Sequence, residues 1–381
     1  MLKRRLIAAL LCALLALSLA ACNKAEQPQG TPSPSQEPAP ADGAALDKIY
    51  ALHAPETVML TVNGEEITWE TFIYFVESSV YQLFGSADNV GGWSEPFLYG
   101  EGETNQQAVL DGAVSILLQN KAVEYGAKLM NVSLSEEDQK AVQSEWDSLV
   151  DAYGEEELLR TLKEQYCTKE LFFWILGTNR LFEKCLDAMF GLHGEKLSDE
   201  DVAEYAGNED YMMAKHILIK TIKTDEETGR DVPMTDEEKA AARERAESVL
   251  AEIESYAGDD FGAFFDSLVK KYSEDPGSLT NPDGYLFTKG NMVREFEDAT
   301  RALKVGEHSG LVESQFGYHI IYRVPVDYSA VPIAYSSYGD AYNLRTLTAY
   351  CMFRSVLDSW QEALEVAYTD AYNALDFSAA A

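Results

Sequence analysis

The chain has 381 residues, with 30 Lys and Arg set against 64 Asp and Glu, for a formal net charge of −34. So acidic a molecule argues against nucleic acid or anionic lipid as a ligand. The length leaves room for two domains after a leader, and no CxxC pair, HExxH, phosphate-cradling glycine loop or nucleophile elbow occurs to suggest metal or hydrolytic chemistry.

At the N-terminus, Lys3-Arg4-Arg5 precedes an apolar run over 6–21 that is too short for a stable membrane span and reads as a secretory signal. It ends in Leu19-Ala20-Ala21-Cys22, which matches the bacterial lipobox. The match predicts a diacylated Cys22 as the mature N-terminus, and two acyl chains anchor stably where one does not. The predicted location is extracytoplasmic, lipid-anchored to the bacterial cell membrane. Residues 22–45, rich in Pro, Gln, Ser and Ala, read as a lipidated, disordered tether.

Val58–Val62 reads as a strand, Asn63-Gly64 as a two-residue hairpin turn, and the following Glu65–Thr68 as the returning strand. Helical spacing predicts helices over 69–84, 105–130, 136–152, 155–165 and 169–189. The third opens at Ser135 with Asp138 three residues on, a capping-box-like start. A connecting helix is expected from about Lys196 to Tyr205. Another is expected over 235–257, with Ala246, Val249, Leu250 and Ile253 on one face. The acidic stretch between Lys223 and Pro233 reads as a solvated loop. Near the C-terminus a helix over 342–366 is predicted, then an extended piece around 368–377. Cys12 leaves with the signal and Cys22 takes lipid, so Cys167, Cys185 and Cys351 remain. Buried thiols are the default for an odd number in apolar helical contexts, with one disulfide left open.

Three segments carry the chemistry. Ala214-Lys215-His216-Ile217-Leu218-Ile219 and Tyr318-His319-Ile320-Ile321-Tyr322 each set a histidine in an apolar run of strand character, and strand neighbours can bring two imidazoles together. Between them lies Gly290-Asn291-Met292-Val293-Arg294-Glu295-Phe296, whose Met292 and Phe296 are four apart, a spacing that puts both on one face of a short helix. In this order the segments resemble the parvulin family of peptidyl-prolyl cis/trans isomerases, over roughly residues 211–327. Such a catalyst faces a barrier of about 18–20 kcal/mol about the X-Pro bond. It needs an apolar seat for the ring and polar groups that stabilise a twisted amide, with no cofactor and no metal.

The resemblance implies His216, Asp275 and His319 as catalytic residues, the two histidines hydrogen-bonded to each other. It implies a proline pocket of Met292, Phe296, Phe316 and Leu286. Asp275, in Tyr272-Ser273-Glu274-Asp275-Pro276, stands where some relatives carry cysteine. A carboxylate cannot act as a thiolate, so non-covalent catalysis is implied. Gly284 stands where many relatives carry an apolar pocket residue. That implies a shallower seat, or one that Leu286 fills from another angle.

The early hairpin followed by several helices resembles the N-terminal chaperone domain of SurA-type and PrsA-type foldases. The implied fold is α+β: a mostly helical chaperone domain, completed by the C-terminal helix, with an inserted parvulin domain of a small antiparallel sheet flanked by helices. The expected bounds are 46–210 for the chaperone domain, 211–327 for the parvulin domain, and 328–381 for a C-terminal segment packing back on the first. Expected partners are unfolded or newly exported polypeptides containing X-Pro, and a membrane through the lipid at Cys22. No nucleic acid is expected, and a homodimer is left open. The alternative is a weak or inactive parvulin acting as a holdase chaperone for secreted proteins.

Overall fold

The structure, a computed structural model, describes residues 44–100, 102–225, 228–333 and 342–380. The signal segment, Cys22 and the tether up to residue 43 lie outside the described residues. The chain divides into two units, His193–Thr348 and the described residues on either side of it.

The first unit opens with α1 (Ala44–Tyr50) and the hairpin β1 (Val58–Val62) and β2 (Glu65–Thr68). Its turn residues, Asn63 at φ 51° and Gly64 at φ 81°, both take the left-handed conformation that an Asn-Gly hairpin turn requires. The chain passes straight from β2 into α2 (Trp69–Phe84), which buries Trp69, Phe72, Ile73, Phe75, Val76 and Val80. A helix so apolar needs cover, and α3 (Asn105–Leu129), α4 (Glu136–Tyr153), α5 (Glu155–Glu164) and α6 (Lys169–Phe190) contribute to the same core. The predicted capping box of α4 forms. Ser135 Oγ accepts from the Asp138 N–H, and the Asp138 carboxylate accepts from the Ser135 N–H.

The second unit begins with α7 (Asp199–Asn208), again opened by a capping box, Ser198 with Asp201. Then come β3 (Met212–Lys220), the small hairpin β4 (Ile222–Thr224) and β5 (Asp231–Pro233), and the helices α8 (Asp236–Glu254) and α9 (Phe261–Tyr272). β6 (Tyr285–Phe287), α10 (Arg294–Ala302), β7 (Val312–Ser314) and β8 (Gly317–Val324) complete it. The strands form an antiparallel sheet in the order β6-β3-β8-β7. Alternation along β3 and β8 divides the side chains between two faces. Ile217, Ile219, Tyr318 and Ile320 pack on α8 and α9 through Ala246, Val249, Phe265 and Leu268. Met212, Ala214 and Ile321 face the other way, toward Phe287 and Phe296.

From Leu344 to Glu362 runs α11, and from Ala349 onward the residues belong to the first unit again. There the Phe353 ring meets Phe182 edge-on at 5.0 Å. β9 (Val366–Tyr368) adds to β1 antiparallel, making a sheet of order β2-β1-β9, and the short α12 (Asp370–Asn373) follows. Phe377, fully buried, meets Trp93 edge-on at 5.1 Å. The fold class is thus α+β as read from the sequence, the C-terminal residues completing the helical unit.

Two expectations are corrected. The acidic stretch between Lys223 and Pro233 is a hairpin, β4 with β5, because Thr224 bonds Asp231 across it and Asp225 accepts from Thr228 in the turn. The extended piece expected over 368–377 shrinks to β9, since Thr369 caps α12 immediately after. The sequence reading also missed α9, which Asp260 caps by accepting from the Ala263 N–H. Cys167 and Cys185 are buried free thiols, whose pKa values burial pushes up to about 12 and about 11.

Candidate active site

His216 lies opposite Ile321 in the register of β3 and β8, and Leu218 lies opposite His319. The two histidines are therefore diagonal neighbours on one face of the sheet, a separation that side chains of this length bridge. Their rings are nearly parallel, 12° apart with centroids at 5.2 Å, and the two Nδ1 atoms are 3.0 Å apart.

Asp275 reaches this pair because the segment before it is clipped to β3. The Glu274 N–H donates to the Leu218 carbonyl at 2.8 Å, and the Leu218 N–H donates to Ser273 Oγ at 3.2 Å. Asp275 Oδ2 then lies 2.9 Å from His216 Nε2 and accepts from the Tyr285 hydroxyl, while Oδ1 accepts from the Gly277 N–H at 3.2 Å. On the far side, Ser314 Oγ is 2.7 Å from His319 Nε2 and accepts from the Phe316 N–H.

These contacts constrain the protons. Burial works to raise the Asp275 pKa, but the hydrogen bonds of His216 and Tyr285, the His216 charge and the Gly277 N–H outweigh it and hold the carboxyl well below the usual range. An ionised carboxylate only accepts, so His216 Nε2 carries a proton and donates to it. Burial, with the neighbouring His216 assisting and Asp275 opposing, lowers the His319 pKa to about 4, so at neutral pH this ring has one N–H. When His319 Nδ1–H donates to His216 Nδ1, His319 Nε2 accepts from the Ser314 hydroxyl. In that arrangement the protons run in one direction, Ser314 to His319 to His216 to Asp275. Burial first, then the bond to Asp275, raises the Tyr285 phenol above its ordinary range, so it stays a donor.

The apolar seat adjoins this line. Phe296 is buried and meets His216 edge-on at 5.2 Å and His319 at 5.6 Å. Met292 packs on the same cluster, but not from the helix the spacing predicted. α10 begins only at Arg294, and Met292 sits in the turn before it. Glu297 holds that turn. This buried carboxylate accepts from the Gly290 N–H at 2.7 Å and the Met292 N–H at 2.9 Å.

Leu286 is buried, yet alternation in β6 turns it to the face opposite Tyr285 and Phe287, away from the seat. Phe316 lies in the turn between β7 and β8, 40% exposed, beside Ser314 rather than in the cluster. Gly284 takes φ +112°, and a Cβ there would come within 2.9 Å of the Ala214 carbonyl oxygen. Close approach of two backbones therefore demands glycine, and Tyr285 beside it lies edge-on to the His216 ring at 5.6 Å. The sequence reading missed Tyr285 and Ser314. Tyr285 opens a strand that pairs with Ala214, two residues from His216, and Ser314 pairs with Gly317, two residues from His319. Only strand register exposes either relation.

Comparison with known proteins falls on the same residues. Residues 216–324 match the family model described as rotamase, PPIC-type PPIASE domain. The foldase protein PrsA of Geobacillus kaustophilus is 37% identical over 128 residues, covering 33% of this chain and 36% of that protein. PrsA of Caldanaerobacter subterraneus subsp. tengcongensis is 26% identical over 270 residues, covering 69% of this chain and 72% of the relative. The alignment with a crystal structure of PrsA from Bacillus subtilis covers 85% of this chain and 94% of that one at 16% identity, with a TM-score of 0.24. The first of these alignments spans little more than a third of the relative's length. Because the matched stretch is the one that brings His216, Asp275 and His319 together, residues 216–324 are a parvulin-type, PPIC-type rotamase domain, in a chain similar to the PrsA foldases.

Proposed function

We propose that the chain isomerises X-Pro peptide bonds in exported polypeptides, anchored outside the cytoplasm by lipid at Cys22. The observation that carries this reading is the Asp275–His216–His319–Ser314 line set against Phe296 and Met292. An apolar seat fixes the ring and strips water from it. The line offers the amide a polar floor of rings already held in place when the bond twists. No covalent step is needed, and Asp275, ionised and bonded to His216, provides no thiolate. Each tenfold in rate is about 1.4 kcal/mol from the barrier.

Lipid anchoring is supported by the lipobox Leu19-Ala20-Ala21-Cys22 after a basic and apolar leader. The helical unit, of the SurA and PrsA type by sequence resemblance, is the part that holds unfolded clients in this reading. The test is an NMR-exchange assay of isomerisation on a short X-Pro peptide, with the full chain beside its His319→Ala variant. Turnover that depends on His319 supports the enzyme. No turnover from a folded chain that still slows aggregation of an unfolded protein would favour the holdase instead, a seat kept for binding alone.

A further inference from the structure

Strand alternation sets His319, Ile321 and Arg323 of β8 on one face of the sheet. His319 belongs to the proton line, and Ile321 packs in the cluster of Phe296. Arg323 does something else. Its Nη1 donates to the carbonyls of Leu303 at 2.6 Å, Arg301 at 3.3 Å and Thr300 at 3.4 Å. Among the described residues it forms no ion pair, although the chain holds 64 Asp and Glu.

Those carbonyls lie at the end of α10, the helix that carries Phe296. The last carbonyls of a helix have no partner within it, and a helix of nine residues is too short to hold itself. Leu303 follows in extended backbone, so no glycine cap closes α10 either. Arg323 supplies the missing donors. The tie reaches the seat in one further step, because the fully buried Thr300 donates its hydroxyl to the Phe296 carbonyl at 2.8 Å. The other link at this end, Arg301 with Asp210 at 2.5 Å, lies at the surface, where such pairs contribute little. From His319 to Arg323 the strand advances about 13 Å, and from Phe296 to Leu303 the helix advances about 10 Å. One strand therefore meets the helix twice, with an imidazole at the Phe296 ring and a guanidinium at the helix end.

We infer that Arg323 is a positioning residue for the isomerisation: by holding the end of α10 it sets the gap between the Phe296 ring and the two imidazoles, and with it the size of imino-acid ring that the seat accepts. The inference rests on the isomerase reading and deepens it by naming what selects the ring. Phe296 stands edge-on at 5.2 Å from His216 and 5.6 Å from His319, so any slide of α10 along β8 changes both separations.

The experiment uses the full chain and the NMR-exchange assay with peptides Ala-Ala-Xaa-Phe, where Xaa is proline or its six-membered homologue, pipecolic acid. The unaltered chain should favour proline by about tenfold or more, since an apolar pocket rejects one extra methylene by that factor. Arg323→Met keeps the stem and removes the donors. It should raise KM for the proline peptide more than it lowers kcat, and shrink the preference by about threefold or more. Arg323→Lys, which retains a donor, should fall between. In parallel, NMR spectra of isotope-labelled histidine should show the His216 and His319 ring signals moved in Arg323→Met, as the Phe296 ring shifts, with those of His53 and His193 unmoved. An Arg323→Met protein that is folded by circular dichroism, with the preference and both ring signals unaltered, overturns the inference and leaves Arg323 a helix cap and the isomerase standing. Should the Met variant not fold, the same readouts in Arg323→Lys decide, and an unaltered preference there overturns it. Equal turnover of the two peptides by the unaltered chain also overturns it. No turnover of the proline peptide removes the isomerase reading and this inference with it.

Discussion

His216 Nδ1 lies 3.0 Å from His319 Nδ1, and the outer nitrogens of the two rings are held by Asp275 and Ser314. One imidazole must therefore donate to the other, and the carboxylate at one end holds a proton on His216 Nε2. Asp275→Asn keeps the shape but supplies an amide that can donate as well as accept, so the proton on His216 Nε2 is no longer dictated. We expect His216→Ala, His319→Ala and Asp275→Asn each to lower kcat/KM by roughly tenfold or more, with far-ultraviolet circular dichroism unchanged. Full turnover in all three would take the line out of the mechanism.

Stability should fall with acid through His319. Its folded pKa, about 4, is below the ordinary value of 6.5 because burial disfavours the cation. Between these values the unfolded chain binds a proton that the folded chain refuses. The contribution is complete above about pH 6.5, is lost progressively toward pH 4, and amounts to on the order of 3 kcal/mol. Urea midpoints measured from pH 7 to pH 4 should drop, and less so in His319→Gln. Equal slopes in the two proteins would contradict the assignment.

Glu297 is expected to act on binding rather than on the chemical step. Removing its carboxylate leaves the Gly290 and Met292 N–H groups without their acceptor and frees the turn that presents Met292. Losing each of these part-buried hydrogen bonds costs about 0.5–1.5 kcal/mol. Glu297→Ala should raise KM several-fold with a smaller change in kcat, and Glu297→Gln, which retains an acceptor oxygen, should recover much of the loss. A pure kcat effect would argue for some other role.

Filling Gly284 tests whether the seat is short of a side chain or the backbone is short of space. At φ +112°, with the Ala214 carbonyl oxygen 2.9 Å from an added Cβ, even Gly284→Ala should cost about 1–3 kcal/mol. Thermal melts would show it, and Gly284→Leu should fall further without a gain in turnover. A Leu variant that melts normally and works faster would revive the shallow-seat expectation.

For the anchor, Cys22→Ser should move the protein from the membrane fraction to the soluble one after export. Retention of the serine variant in washed membranes would count against lipid as the tether.

Much was legible from sequence because the determinants are local. Asn63-Gly64 dictates a hairpin turn, Ser135 and Ser198 start helices with their own side chains, and the apolar periodicity of α2 and α8 marks the faces they bury. Motif spacing likewise singled out His216, His319 and Phe296, the family resemblance added Asp275, and the structure gathers all four. What the sequence could not fix is what depends on register and backbone direction. Strand alternation turns Leu286 from the seat, a turn rather than a helix carries Met292, and pairing alone brings Tyr285 to Asp275 and Ser314 to His319. A one-residue slip of β3 against β8 would turn His216 to the opposite face and break the line. The residue types are therefore set by the chain itself, while their meeting is decided by tertiary pairing.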